Sequence, residues 1–211
     1  MSIERILAAT VVQQTKLIAQ WLHGVKRETC LAPAVDIAAQ SGYLEVLQWL
    51  HSNNLLMCTT AAMNKAAENG HFEVVKWLHR VCHGCCSPMA LYVAVNNGHL
   101  ELVQWLYEHV YIKCHRYHEM DAAAENGHMD VITWLHENRR EGCSEMAPFY
   151  AARYGHFKVL KWFHMHHPDT FVQEVMDRAA QNGHLDVVWW LQKNRPEGCT
   201  TDAMDFAADR G

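Results

Sequence analysis

One spacing governs this chain. Glycine recurs at Gly42, Gly70, Gly98, Gly127, Gly155, Gly183 and Gly211, at intervals of 28, 28, 29, 28, 28 and 28 residues. Tryptophan follows each of the first six by seven, at Trp49, Trp77, Trp105, Trp134, Trp162 and Trp190. Trp21 extends that column backwards into a unit where Gln14 stands in place of the glycine. A fixed period of this length marks an array of small supersecondary units, each too small to bury its own apolar face, that stack to share a core.

Within a unit, the residues before the glycine read as one helix and those after it as another. Thr59, Ser87, Ser144 and Thr200 stand at N-cap positions and Pro88 at a first helical position. Alanine pairs such as Ala66–Ala67 and Ala207–Ala208 let neighbouring helices approach closely. The glycine ends the helix in the left-handed conformation that it adopts without penalty. In the second half, Leu44, Val46, Leu47, Trp49 and Leu50 spread over an arc of about 220°, wider than a surface helix needs. A helix flanked on both sides by its own copies would show that width. Trp49 lies at the edge of the arc, so the tryptophans are expected to bridge successive units.

The stretch Ala-Ala-Glu-Asn-Gly-His-Phe-Glu-Val-Val-Lys-Trp-Leu at 66–78 resembles the centre of the ankyrin repeat, and the pattern recurs over nearly the whole chain. The resemblance implies an all-α, ankyrin-like solenoid of stacked helix-turn-helix repeats. Two departures stand out. The family's usual unit is about 33 residues long and opens on Thr-Pro-Leu-His; here the Leu-His places hold Met63–Asn64, Met120–Asp121, Met176–Asp177 and Met204–Asp205. The missing residues must come from between repeats, so the β-hairpin fingers are expected to be shortened or absent. This short version with Trp-Leu-His is similar to expanded ankyrin-like families of oomycetes and giant viruses. Residues 1–211 are read as a single repeat domain: 1–29 a degenerate first unit, 30–198 six complete repeats, and 199–211 a truncated repeat, as expected of a fragment or a truncated gene product.

Cysteine and histidine fall largely into the same columns. Cys30, Cys58, Cys86, Cys114, Cys143 and Cys199 share one place in the repeat, which Phe171 also fills. Packed helices lie about 8–10 Å apart, beyond the roughly 7 Å between Cα atoms that a disulfide spans. Column mates are therefore expected to remain buried thiols, as in a reducing compartment. Histidines after the repeat glycine (His71, His99, His128, His156, His184) and after Trp-Leu or Trp-Phe (His23, His51, His79, His136, His164) are expected to be structural. The exception is the loop carrying Cys82, His83 and Cys85, with His109 in the next, which offers ligand types that zinc accepts. No metal is assigned there, although a zinc-stabilised interaction module at the 79–118 loops is the alternative reading.

Other functions are disfavoured. With a net charge of −5 and basic runs no longer than pairs such as Lys26–Arg27, no stripe exists to neutralise a phosphate backbone, so no nucleic-acid partner is expected. No apolar stretch approaches the roughly 18–20 residues of a bilayer span. The start lacks the pattern of a signal peptide. The chain is therefore expected to lie inside the cell, in cytoplasm or nucleus, away from membranes. No phosphate-binding glycine loop, nucleophile elbow or zinc helix is found. Asp36, Asp121, Asp177 and Asp205 share a column read as a solvated acidic row rather than as paired catalytic acids. No enzymatic activity, cofactor or small-molecule substrate is expected.

What remains is a scaffold for a protein partner. By the resemblance, such solenoids bind proteins on the concave face made by the first helices. Most outward positions there are polar, but one repeat carries Tyr92 and Val93 and another Phe149, Tyr150 and Arg153. Exposed aromatics beside arginine suit a binding hot spot, so Tyr92, Phe149, Tyr150 and Arg153 are the candidate partner-binding residues. The competing reading is that Pro148 alters its helix and Phe149 repacks inward. A further alternative reading is the targeting arm of a longer multidomain enzyme.

Overall fold

The computed structural model describes residues 31–82, 87–110, 119–139 and 142–201. Among them are helices α1 (Leu31–Gln40), α2 (Leu44–Ser52), α3 (Thr60–Glu68), α4 (Phe72–Val81), α5 (Pro88–Asn96), α6 (Leu100–His109), α7 (Glu119–Glu125), α8 (Met129–Asn138), α9 (Met146–Arg153), α10 (Phe157–His166), α11 (Glu174–Gln181) and α12 (Leu185–Asn194), with a 3-10 turn at Pro168–Thr170. No strand occurs among the described residues. No helix there is long and apolar enough to cross a membrane.

The chain divides into two compact units, Met1–Ala94 with Gln104–Ile112, and Val95–Val103 with Lys113–Gly211. In the first, α1 packs on α3, each lies against its own second helix, and α2 meets α4. In the second, α9 lies between α7 and α11, and α8, α10 and α12 each back their own first helix. The alanine pairs make the first-helix contacts possible: Ala66, Ala67, Ala123, Ala151 and Ala152 are fully buried. From the second helices Val46, Leu47, Leu50, Val131, Ile132 and Leu160 enter the core, as the apolar arc predicts.

Each first helix ends on glycine at positive φ, between +69° and +76° for the six repeat glycines of the described residues. The turn closes as a Schellman motif: the His71 N–H donates to Ala66 O (2.9 Å) and the Gly70 N–H to Ala67 O (3.2 Å). At the other end, the Thr59 hydroxyl accepts from the Ala62 N–H at 3.0 Å, capping α3. Pro88 opens α5 as expected. Pro148 is buried within the first turn of α9, where the missing N–H costs little, and the helix continues to Arg153.

Three contacts repeat from one unit to the next. Four of the histidines that follow a repeat glycine, His71, His128, His156 and His184, lie over the glycine of the preceding repeat and donate from Nε2 to a carbonyl at the end of that repeat's first helix. His71 thus reaches Gln40 O (2.9 Å), His128 Asn96 O (3.0 Å), His156 Glu125 O (2.9 Å) and His184 Arg153 O (3.0 Å). The orphan carbonyls of a helix C-terminus gain a donor this way. The Trp-Leu-His histidines meet the next tryptophan edge to face: His51–Trp77 at 5.8 Å, His79–Trp105 at 5.3 Å, His136–Trp162 and His164–Trp190 at 5.0 Å between ring centres. Trp77, Trp105, Trp162 and Trp190 thus bridge successive repeats, Trp21 and His23 lie outside the described residues, and both histidine columns are structural at the positions named.

The third contact overturns the reading of the acidic row as solvated at Asp36, Asp121 and Asp177; Asp205 lies outside the described residues. Asp121 and Asp177 are buried. Asp121 accepts from the Ser144 N–H (3.0 Å) and hydroxyl (2.5 Å), Asp177 from the Thr200 N–H (3.0 Å) and hydroxyl (2.8 Å). The half-buried Asp36 accepts from the Thr59 hydroxyl at 2.5 Å, and Asn64 from the Ser87 hydroxyl at 2.7 Å. Every pair is 23 residues apart. At these four places the row faces the neighbouring repeat rather than solvent, and it ties α1, α3, α7 and α11 each to the start of the next repeat.

The cysteines also depart from expectation. Cys58 is exposed and forms a disulfide with Cys82, a loop residue outside the column, with Cα atoms 5.5 Å apart. Among the described residues no column mates pair, and Cys30, Cys86 and Cys114 lie outside them; the arithmetic that separates column mates says nothing of a loop thiol 24 residues on. Cys199 is exposed and Cys143 half-buried, so the column is not uniformly interior. Of the apolar loop residues, Leu55 is tucked in while Met57 is exposed.

Candidate partner-binding surface

The buried aspartate row fixes which residues of a first helix face outward. The residue after each Asp or Asn forms one column: Ile37, Lys65, Val93, Ala122, Tyr150, Arg178. Three residues further on stand Gln40, Glu68, Asn96, Glu125, Arg153 and Gln181. Ile37 is 57% exposed, Gln40, Glu68 and Arg153 are exposed, and most of the others are half-buried. Ala122 is too short to emerge.

Tyr150 and Arg153 of the sequence-derived set fall in these two columns, whereas Tyr92 and Phe149 occupy the Asp column itself. Where the column is Phe149, the residue 23 later is Val172, which has no hydroxyl to offer a carboxylate. The polar tie is absent and an aromatic ring fills the junction. Phe149 is half-buried, meets Tyr150 edge to face at 5.6 Å, and lies beneath the guanidinium of Arg178 at 5.4 Å. Tyr92 is half-buried on α5. The structure thus assembles Phe149, Tyr150 and Arg178 on α9 and α11.

Arg178 was not among the candidates, since arginine in an outward column reads as an ordinary solvated charge. Its Nη1 donates to Gln181 Oε1 at 2.6 Å, and its Nε is buried without a hydrogen-bond partner among the described residues. Arg153 stands over the exposed Tyr154 ring at 5.5 Å. No carboxylate pairs with Arg153 or Arg178 among the described residues.

A second polar cluster joins the ends of α8 and α10. His167 Nε2 lies 3.2 Å from His136 Nδ1. One repeat later Arg195, a permanent donor, gives an N–H to His164 Nδ1 at 3.4 Å while pairing with Glu197 at 2.6 Å. By that parallel, His136 accepts at Nδ1 and His167 donates. Burial, then the neighbouring His136 and His166, lower the His167 pKa.

The loop offered for zinc does not assemble among the described residues. Cys82 is held in its disulfide, and His109 stacks on Trp105 at 4.7 Å with Nδ1 3.0 Å from the Trp105 carbonyl. His83 and Cys85 lie outside the described residues. No group of three or more His, Cys, Asp or Glu that could hold a metal occurs among the described residues.

Paired helices joined by left-handed glycine turns, stacked first helix on first helix, define the class: an all-α solenoid of helix-turn-helix repeats. A family profile for ankyrin repeats in three copies matches residues 35–118, and one for ankyrin repeats in many copies matches 120–164. The chain belongs to the ankyrin-repeat family. Among solved structures it is similar to the human ASB11 ankyrin repeat domain, with a TM-score of 0.61 at 17% identity over 84% of this chain and 92% of that one. That likeness shows the fold. No curated protein matches the sequence. Ankyrin repeats are general protein–protein interaction modules, and the family is typically non-catalytic.

Proposed function

We propose that this chain is a scaffold that binds a protein partner on the exposed face of its first helices, with Tyr150 and Arg153 on α9 as principal contacts. The observation that carries this reading is their placement. Both stand in the columns that the inter-repeat ties leave facing outward, and tyrosine and arginine dominate binding energy at protein interfaces. Phe149 contributes by holding Tyr150 and Arg178 in place. Tyr92, the other aromatic in the Asp column, is a further candidate. The disulfide at Cys82 argues against a zinc-stabilised module at the 79–118 loops, because an oxidised cysteine supplies no thiolate.

The test compares proteins retained from an extract of the source cell by the full chain and by Tyr150→Ala/Arg153→Ala, after circular dichroism has shown equal helicity. Specific partners lost with the double variant support the face. Partners retained equally by both would move the site elsewhere.

A further inference from the structure

We propose that the surface formed by α9 and α11 recognises a partner segment through its carboxylates, with Arg153 and Arg178 as the receiving guanidiniums; this rests on the reading of the first-helix face above. The chain carries a net charge of −5, yet this part of it presents two arginines with no acidic partner among the described residues. Arg153 stands in the outward column that holds Gln40, Glu68, Asn96 and Glu125 in other repeats, and Arg178 in the one that holds Ile37, Lys65, Val93 and Ala122.

The two carboxylates nearest Arg178 in sequence leave its charge available. Asp177 is buried and accepts both hydrogen bonds of Thr200, so it faces the next repeat. Glu174, one turn earlier on α11, is exposed and forms no ion pair with Arg178. Instead the guanidinium is held over Phe149 and fixed on one edge by Gln181. A planar fork oriented in advance loses little freedom on pairing with a carboxylate, and arginine matches that geometry with two parallel N–H···O bonds. Tyr150, packed on Phe149, adds an aromatic wall for the stem of an incoming side chain. Glu145, one turn before Phe149, and Glu174, one turn before Arg178, are exposed on the same two elements. Their charge disfavours a dianionic phosphate more than a single carboxylate, so the occupant is an acidic peptide segment with Asp or Glu at the arginines.

The probe is a random library of twelve-residue peptides displayed on phage and selected on the full chain, followed by affinity measurement with synthetic versions. Selected peptides should be enriched in Asp and Glu. Their Asn and Gln counterparts should bind roughly tenfold more weakly, and Arg153→Ala and Arg178→Ala should each weaken binding about as much. Raised salt should weaken the complex. Peptides lost with Tyr150→Ala but indifferent to both arginine substitutions, without acidic enrichment, would overturn the acidic preference and leave the face intact. Peptides indifferent to all three substitutions would overturn both. A phosphoserine version binding more tightly than the Asp version would replace carboxylate by phosphate as the ligand. A selection that yields no binder would rule out recognition of a linear acidic segment.

Discussion

Asp177 and Thr200 are joined by two hydrogen bonds, the Thr200 N–H at 3.0 Å and its hydroxyl at 2.8 Å both going to the one carboxylate. The pair links α11 to the segment that opens the next repeat. The same connection recurs at Asp121–Ser144 and, through the hydroxyl alone, at Asp36–Thr59. These ties do for this chain what an extended finger does not provide, since no strand forms between repeats among the described residues.

Replacing Asp121 by alanine therefore leaves the Ser144 N–H and hydroxyl without their acceptor. Hydrogen bonds to charged groups contribute about 1.5–3 kcal/mol each and their loss at a buried site is felt in full, so a loss of about 2–3 kcal/mol is expected on urea denaturation. Asp121→Asn, which keeps an acceptor oxygen, should lose less. In the double variant with Ser144→Ala the two losses should add to less than their sum. Full additivity would show that the two side chains do not act together.

The glycine turns allow a sharper comparison. Gly155 and Gly183 have nearly the same φ, +72° and +75°, but a Cβ on Gly155 would lie 2.6 Å from the His184 ring, whereas one on Gly183 meets nothing within 4 Å among the described residues. Gly155→Ala should therefore destabilise more than Gly183→Ala, which carries the backbone penalty of about 1 kcal/mol alone. In a His184→Ala background the difference should shrink. Equal losses at both sites would mean that the imidazole moves aside freely.

Acid should weaken the unit containing His136 and His167. The native environment lowers the His167 pKa, first by burial and then through His136 and His166. Above the ordinary histidine pKa of about 6.5 both native and unfolded states are neutral and this contribution is complete. As pH falls below that value, the unfolded chain takes up a proton that native His167 resists, so stability drops with decreasing pH. Denaturation midpoints measured from pH 8 to 5 should fall across this window, and less steeply in His167→Gln, whose amide can still donate to His136.

The thiols should separate by reactivity. Burial, reinforced by the charge of Asp121, pushes the Cys143 pKa up to about 12, so it has almost no thiolate at pH 8. Exposed Cys199 should alkylate readily under those conditions and Cys143 slowly, with Asp121→Asn raising the Cys143 rate only modestly because burial is the larger cause. Peptide mapping without reductant should recover the Cys58 and Cys82 peptides linked. Their recovery as separate alkylated peptides would place this protein in its reduced form.

How much of this was legible beforehand follows from which interactions repeat. The period, the helix pair, the glycine turns, the alanine contacts and the bridging tryptophans all leave a residue type in a column, and a column is visible in one chain read against itself. The histidines at 71, 128, 156 and 184 were recognisable as structural for the same reason, although their acceptors are backbone carbonyls that leave no mark in sequence.

What the sequence alone determined is therefore the family, the fold class and the inward positions of each helix. The tertiary structure decided where the aspartate column points, that Cys58 meets Cys82, and that Arg178 covers Phe149. The physical reason is common to all three. A helical wheel distinguishes core from non-core, but a helix in a stack has flanks that face neighbouring helices, and a position off the apolar arc can face either water or the next repeat. Only the placement of a hydroxyl 23 residues on, of a loop thiol 24 residues on, or of a guanidinium from the following repeat settles which.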